Sequence, residues 1–214
     1  MNIKKTLKNL GIIGVVGILN LMSIKEASAL DGNIRYIQSK NNAKSYVETR
    51  VFYDLPWNMK GYTFIDFYKN GNGYFGKTFW NKTIKYSVGL EEQIIHNNEP
   101  FTETGFGVNA FIPYIPKKAF AKVSVVPLWF DKNGKLEDKV TVGYVGSIDL
   151  PKGYKLSSFG EWDIGAKGGP KWTYGEIDLG KKIGPVYVSY NPALISNGDA
   201  TPRVEHRISV SVDF

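Results

Sequence analysis

Counting back from the carboxyl end, every second residue (Phe214, Val212, Val210, Ile208, His206, Val204) is apolar except His206, and the residues between them (Asp213, Ser211, Ser209, Arg207, Glu205, Arg203) are all polar. Alternation with period two marks a β-strand with one apolar and one polar face. Such a strand has two homes. In a β-sandwich the apolar face meets a second sheet; in a membrane barrel it meets lipid, and the polar face lines a wet interior.

The pattern recurs along the chain. Strands are expected at 33–38, 45–55, 61–69, 82–91, 104–112, 119–130, 139–150, 155–164, 172–179, 186–190 and 203–214, divided by clusters of Gly, Pro and Asn. That set is odd in number, whereas a single-chain bacterial barrel holds an even number because both chain ends lie on one side of the membrane. Asn70-Gly71-Asn72-Gly73 is a tight-turn signal. A further strand at 74–80 is therefore expected after it, with Asn81-Lys82 turning the chain back. The total becomes about twelve, or ten if two of the shorter segments are loops. Turns at 56–59, 114–117, 151–153 and 181–185 then fall on the side of the termini, and longer loops such as 131–138 and 192–201 on the other.

The sandwich remains the competing fold. Two features favour the barrel. The strand at 140–150 keeps its apolar face over the roughly 10 residues a bilayer requires. Aromatic residues stand at strand ends (Tyr53, Trp57, Trp80, Trp129, Tyr154, Trp172, Tyr187), where an interfacial girdle would place them. The expected fold is all-β: a closed antiparallel up-and-down transmembrane β-barrel. Its closing strand carries Ile208, Val210, Val212 and Phe214 toward lipid.

The amino end reads as a secretory signal: Lys4, Lys5 and Lys8, an apolar run from Leu10 to Ile24, then Ala27-Ser28-Ala29. The run is broken by Gly11, Gly14, Gly17 and Asn20 and falls short of the about 20 residues a spanning helix needs. Residues 1–29 are thus expected to be removed, and 30–214 to form one barrel domain. The chain carries 27 Lys and Arg against 20 Asp and Glu, a net +7; the signal holds four of the lysines and one glutamate, which leaves +4. That charge is diffuse, with no Lys/Arg block of the kind that grips a phosphate backbone, so no nucleic-acid partner is expected. The chain has no cysteine, which fits a barrel held by its own hydrogen bonds.

By parity the inner face carries Glu48, Arg50, Asp66, Lys85, Glu103, Lys122, Lys139, Glu161, Glu176 and Arg207, with Tyr62 and Phe64 among several rings that include Tyr46, Phe52, Tyr68, Phe159 and Tyr174. Asp149, Lys155, Arg203 and Glu205 share that parity. Mixed signs at close quarters can form an ion-pair network that fills and stiffens the barrel. They can equally line a narrow pore, since eight strands leave an interior filled by side chains and sixteen leave an open channel. Rings with a polar tip can stack on flat solutes.

The terminal strand resembles the last strand of bacterial outer-membrane barrels, which implies that it closes the barrel and is read by the barrel assembly machinery, after escort by periplasmic chaperones. A wider resemblance covers most of residues 30–214. The order 45–55, turn, 61–68, and the later run G-F-G-V-N-A-F-I-P, turn, A-K-V-S-V-V-P-L-W-F, loop, K-V-T-V-G-Y-V-G-S-I-D-L-P-K-G-Y, is similar to the nucleoside-specific (Tsx-like) outer-membrane channels. It implies a twelve-stranded monomer in a Gram-negative outer membrane with a narrow lumen that passes nucleosides. The acidic-oligosaccharide porins also have twelve strands. Resemblance to them implies an arginine-rich lumen, for which Arg50, Arg203 and Arg207 are the candidates and Arg35 is unassigned; this family ranks second.

Other sites are weaker. Gly71-Asn72-Gly73-Tyr74-Phe75-Gly76 spells G-x-G-x-x-G, but no helix follows to hold a pyrophosphate. An outer-rim hydrolase would need a base such as His96, placed in a loop at 95–99, with Ser196 and Asp199 on another loop; two solvated loop residues explain these as well. No His/Cys/carboxylate cluster has ligand spacing, so no metal or cofactor is expected. The function expected is passive diffusion of small hydrophilic solutes, with no enzymatic activity. A non-conducting structural or surface-interaction barrel is the alternative.

Overall fold

In the computed structural model, residues 30–40, 45–68, 73–85, 87–98, 102–112, 118–165, 169–196 and 202–214 are described. The expected signal, 1–29, lies outside them, as do Asn70, Gly71 and Asn72 of the expected tight turn. Twelve strands form one sheet: β1 (Leu30–Ser39), β2 (Ser45–Leu55), β3 (Met59–Tyr68), β4 (Tyr74–Lys85), β5 (Val88–Asn97), β6 (Glu103–Phe111), β7 (Ala119–Asp131), β8 (Lys139–Asp149), β9 (Tyr154–Gly165), β10 (Gly169–Ile183), β11 (Val186–Tyr190, resumed at Ala193–Ile195) and β12 (Arg203–Glu205, resumed at Arg207–Asp213). A short piece, Leu136–Glu137, pairs with the tip of β7.

Each strand pairs antiparallel with the next, and β1 pairs with β12, with Tyr36 opposite Val210 and Ile34 opposite Val212. The ring is closed and has no free edge for another chain to extend. The fold is a twelve-stranded up-and-down β-barrel, not a sandwich: no second sheet stacks on the first among the described residues.

The faces are inverted relative to a water-soluble domain. On β12, Ile208, Val210 and Val212 are 60%, 41% and 46% exposed, while Arg207 and Ser209 between them are 5% and 1% exposed. Most apolar residues stand outside and most charged ones inside. Two connections at the end that holds Leu30 and Phe214 are single 3-10 turns led by proline, Pro56–Asn58 and Pro151–Gly153. Proline presets the first φ, and the following residues swing to positive φ, Trp57 at 61° and Lys152 at 61°.

The chain departs from the sequence expectation at several points: the expected turn at 181–185 shrinks to 184–185 because β10 runs on to Ile183, and the expected loop at 192–201 holds the resumed piece of β11, Ala193–Ile195. Asn81-Lys82 is no turn: β4 runs on to Lys85, and β5 begins at Val88, so the segment expected at 82–91 straddles the hairpin. His96 is consequently in β5 and not in a loop. Trp129 and Tyr187 are not girdle residues. On β7, Phe106 of β6 pairs with Leu128 but Val108 pairs with Val125, so Gly107 faces two residues, Val126 and Pro127. This bulge shifts the alternation by one and turns Trp129 inward; its side chain is 1% exposed. Tyr187 faces inward by ordinary parity, donating to Asp178 Oδ1 at 3.0 Å.

Candidate functional site: the barrel lumen

Antiparallel partners share a face, so the inner row can be followed from strand to strand: Asn33 and Arg50, Arg35 and Glu48, then Glu48 and Asp66, Arg50 and Phe64, Phe52 and Tyr62. Three arginines converge here. Arg35, buried on β1, binds Glu48 (3.6 Å), Glu176 (3.3 Å) and Asp178, and its Nε donates to Ser209 Oγ at 2.8 Å. Arg50 reaches Glu48 at 2.6 Å and, from four strands away, Glu176 at 3.4 Å. Arg207 binds Glu205 at 2.9 Å and donates to the hydroxyls of Tyr46 (2.9 Å) and Tyr174 (2.7 Å). Charges taken from water survive only when every one is paired and hydrogen-bonded, and this cluster meets that condition almost throughout. One carboxylate oxygen, Asp66 Oδ1, has no hydrogen-bond partner.

A second group lies across the lumen. Lys122 binds Glu91 at 2.7 Å and Asn81 Oδ1 at 3.2 Å, and Asn109 donates to both of those residues. Lys77 pairs with Glu161 at 2.5 Å, and Lys139 with Glu103 and, at 3.0 Å, with Glu137. The ammonium groups of Lys77 and Lys139 lie 5.7 Å and 4.5 Å from the centre of the Trp129 ring, within the range where a cation is drawn to an aromatic face.

Between the two groups runs a ring-lined sector of wall. Phe52, Tyr62 and Phe79 stack in sequence at 4.6 Å and 5.7 Å between centroids, and Phe64 packs on Phe75 at 6.0 Å. At the mouth beside Asp213 and the Pro151–Gly153 turn is a cavity of about 410 Å³ floored by Arg35, Arg50 and Asp178 and walled by Asp149, Lys155 and Tyr187. Its floor is the arginine cluster.

Of the candidate lumen residues, Glu48, Arg50, Tyr62, Phe64, Asp66, Glu176 and Arg207 come together in the first sector. Glu103 and Lys139 form one pair; Lys122 and Glu161 each pair with a residue parity reasoning missed, Glu91 and Lys77. Lys85 is elsewhere: a register shift between Thr83 and Lys85 sets it opposite Val88 at the exposed end of β4. Arg203 is exposed at the far end of β12. Arg35, left unassigned, is at the centre of the network. Its alternation with Ile34 and Tyr36 was the available signal; Asp178 shares the parity of Glu176 and was equally readable.

Of the residues an outer-rim hydrolase would use, His96 and Ser196 are among the described residues. His96 accepts or donates a contact with Thr78 Oγ1 at 3.3 Å on the outer wall, and Asp199 lies outside the described residues. His206 is on the outer wall too, bonded to the Tyr190 hydroxyl at 2.5 Å.

No family model matches the sequence, and no curated protein matches it. Solved structures do. The NanC porin structure in a rhombohedral crystal form superposes with a TM-score of 0.57 at 11% identity, and the KdgM porin with 0.55 at 7%; each comparison covers 86% of this chain and 99% of the other. At such identities the likeness concerns fold alone. Neither structure supports the nucleoside-channel resemblance in particular. What the wall, its register and these superpositions establish together is a closed twelve-stranded β-barrel with the fold of small porins.

Proposed function

We propose that the chain is an outer-membrane channel through which small hydrophilic solutes diffuse passively. One observation carries this reading: a continuous apolar exterior surrounds an interior that buries ion pairs, rings and hydroxyls. Only a bilayer makes such an inversion favourable, since apolar surface is then hidden in acyl chains and the polar interior keeps its water. The charged rows offer successive weak sites, which passage requires: binding strong enough to enter and weak enough to leave. The reading carries with it the biogenesis partners that the terminal strand implies by resemblance, assembly machinery and periplasmic chaperones, and a monomeric barrel, for which the closed ring offers the support that no strand edge is open to a second copy.

The nature of the solute follows from the inner charges. Three arginines around Glu176 come closer to the arginine-rich lumen implied for acidic-oligosaccharide porins than to a nucleoside site, although carboxylates hold all three. Nucleosides draw support only from the Phe52–Tyr62–Phe79 stack. The alternative, a non-conducting barrel, is favoured by one feature, the ion pairs that cross the lumen.

Planar-bilayer recording of the refolded protein tests the proposal. Unitary current steps, with flicker block on adding acidic oligosaccharides or nucleosides, are expected. A silent membrane at protein densities that show insertion would favour the structural barrel.

A further inference from the structure

Lys77 and Glu161 belong to β4 and β9, five strands apart around the wall in one direction and seven in the other. Their 2.5 Å contact therefore spans nearly the full width of the lumen. We infer that this pair is the constriction of the channel, with Lys77 as its fixed post and Glu161 as its moving bar; the inference rests on the channel reading above.

The two partners are held unequally. The Lys77 side chain is 5% exposed, and its ammonium lies near two rings, 5.2 Å from the centre of Phe79 and 5.7 Å from that of Trp129. Those rings keep the cation in place when its carboxylate leaves. The Glu161 side chain is 20% exposed. Its inward neighbour on β8 is Gly143, which has no side chain to pin it, and the β9–β10 register slips between Glu161 and Trp162. A carboxylate on an irregular strand beside a glycine has room to swing along the wall.

The wall beside Lys77 holds polar groups that suit a solute. Gln93, Gly105 and Trp129 are consecutive cross-strand neighbours on the inner wall. The indole Nε1 of Trp129 and the amide Oε1 of Gln93 are buried with no hydrogen-bond partner. A donor and an acceptor left unpaired inside a wall are costly unless something passes that can pair with them. With Glu161 displaced, the Lys77 ammonium, the Trp129 N–H and the Gln93 carbonyl line one passage. That set can exchange hydrogen bonds with a polar solute as it goes by.

The absence of cysteine from the sequence allows a clean test. Single-channel conductance is recorded for the wild type and for Glu161→Cys, the latter before and after reaction with ethylsulfonate or ethylammonium methanethiosulfonate, and Glu161→Gln is carried as a second variant. Heat-modifiable gel migration checks that each barrel has folded. Glu161→Cys should conduct about twofold or more above wild type, because no side chain then reaches the post, and Glu161→Gln, which keeps a neutral hydrogen bond to Lys77 in place of the ion pair, should fall between the two. The sulfonate adduct should return the conductance toward the wild-type value, and the ammonium adduct, repelled by Lys77, should not. Equal conductance in wild type, variants and both adducts overturns the inference and leaves the channel reading standing. A wild type and variants that are all silent overturn both.

Discussion

Arg35 and Glu176 meet at 3.3 Å although their strands, β1 and β10, stand three apart around the wall. No hydrogen-bonded ladder joins those strands. The side chains alone tie the two sides, with Asp178 and Glu48 completing the cluster. A barrel needs only its ladder to close and its strand number to fix its diameter, so charges reaching inward between non-adjacent strands decide how the interior is filled and what chemistry lines it.

Removal of Arg35 tests this. Arg35→Met leaves Glu48, Glu176 and Asp178 buried with one cation fewer, and loss of one partner of a buried ionic group costs about 3–5 kcal/mol. Equilibrium urea unfolding in lipid vesicles should show a destabilisation of that size. Arg203→Met, at an exposed strand end, should be nearly silent.

On the outer wall the Tyr53 ring lies over Gly61: a methyl group built there would come within 2.0 Å of Tyr53 Cε2. The hydroxyl of Tyr53 receives a hydrogen bond from Trp80 Nε1 at 3.0 Å and contacts Thr63 Oγ1 at 3.2 Å. Tyr53→Phe keeps the ring and loses these bonds, which should cost about 1 kcal/mol. Gly61→Ala displaces the ring itself and should cost more, with loss of Trp80 fluorescence anisotropy as the local sign. Equal effects of the two substitutions in the unfolding assay would show that the ring is not seated on the glycine.

Val210→Lys places an ammonium on the outward face of the closing strand, where Val210 is exposed. A lysine there should cost about 2–4 kcal/mol in a bilayer. The same substitution would be harmless in a protein whose 210 side chain meets water, so the vesicle unfolding curve separates the two environments.

Much of the fold was legible because period-two alternation survives in most strands, and proline turns such as Pro56–Asn58 announce themselves. The β4–β5 hairpin did not. Its connection at 86–87 is two residues long, so even positions such as Lys82, Ile84, Val88 and Leu90 stay outward on both sides of the turn and the alternation runs through unbroken. Nothing in Tyr86-Ser87 marks a reversal. The bulge opposite Gly107 had the opposite effect: it broke the alternation where composition gave little warning beyond Pro127, and hid Trp129 in the lumen. Parity assigned Glu161 and Lys122 to the interior, but parity says which way a side chain points and not what it meets across the lumen. Glu91 shares the odd-numbered face of Lys85 and Lys77 lies in the expected strand 74–80, so the alternation placed both without showing that they meet Lys122 and Glu161.

The orientation of the closing strand is the point on which everything else depends, and site-directed spin labelling measures it. Labels introduced at Ser209, Val210, Ser211 and Val212 of the cysteine-free chain, reconstituted in vesicles, report collision with oxygen dissolved in acyl chains and with a water-soluble nickel complex. Alternation is expected, with oxygen contact high at 210 and 212 and low at 209 and 211. High oxygen contact at 209 and 211 with low contact at 210 and 212, or uniform contact with the nickel complex at all four, would contradict a barrel that turns its apolar flank to lipid.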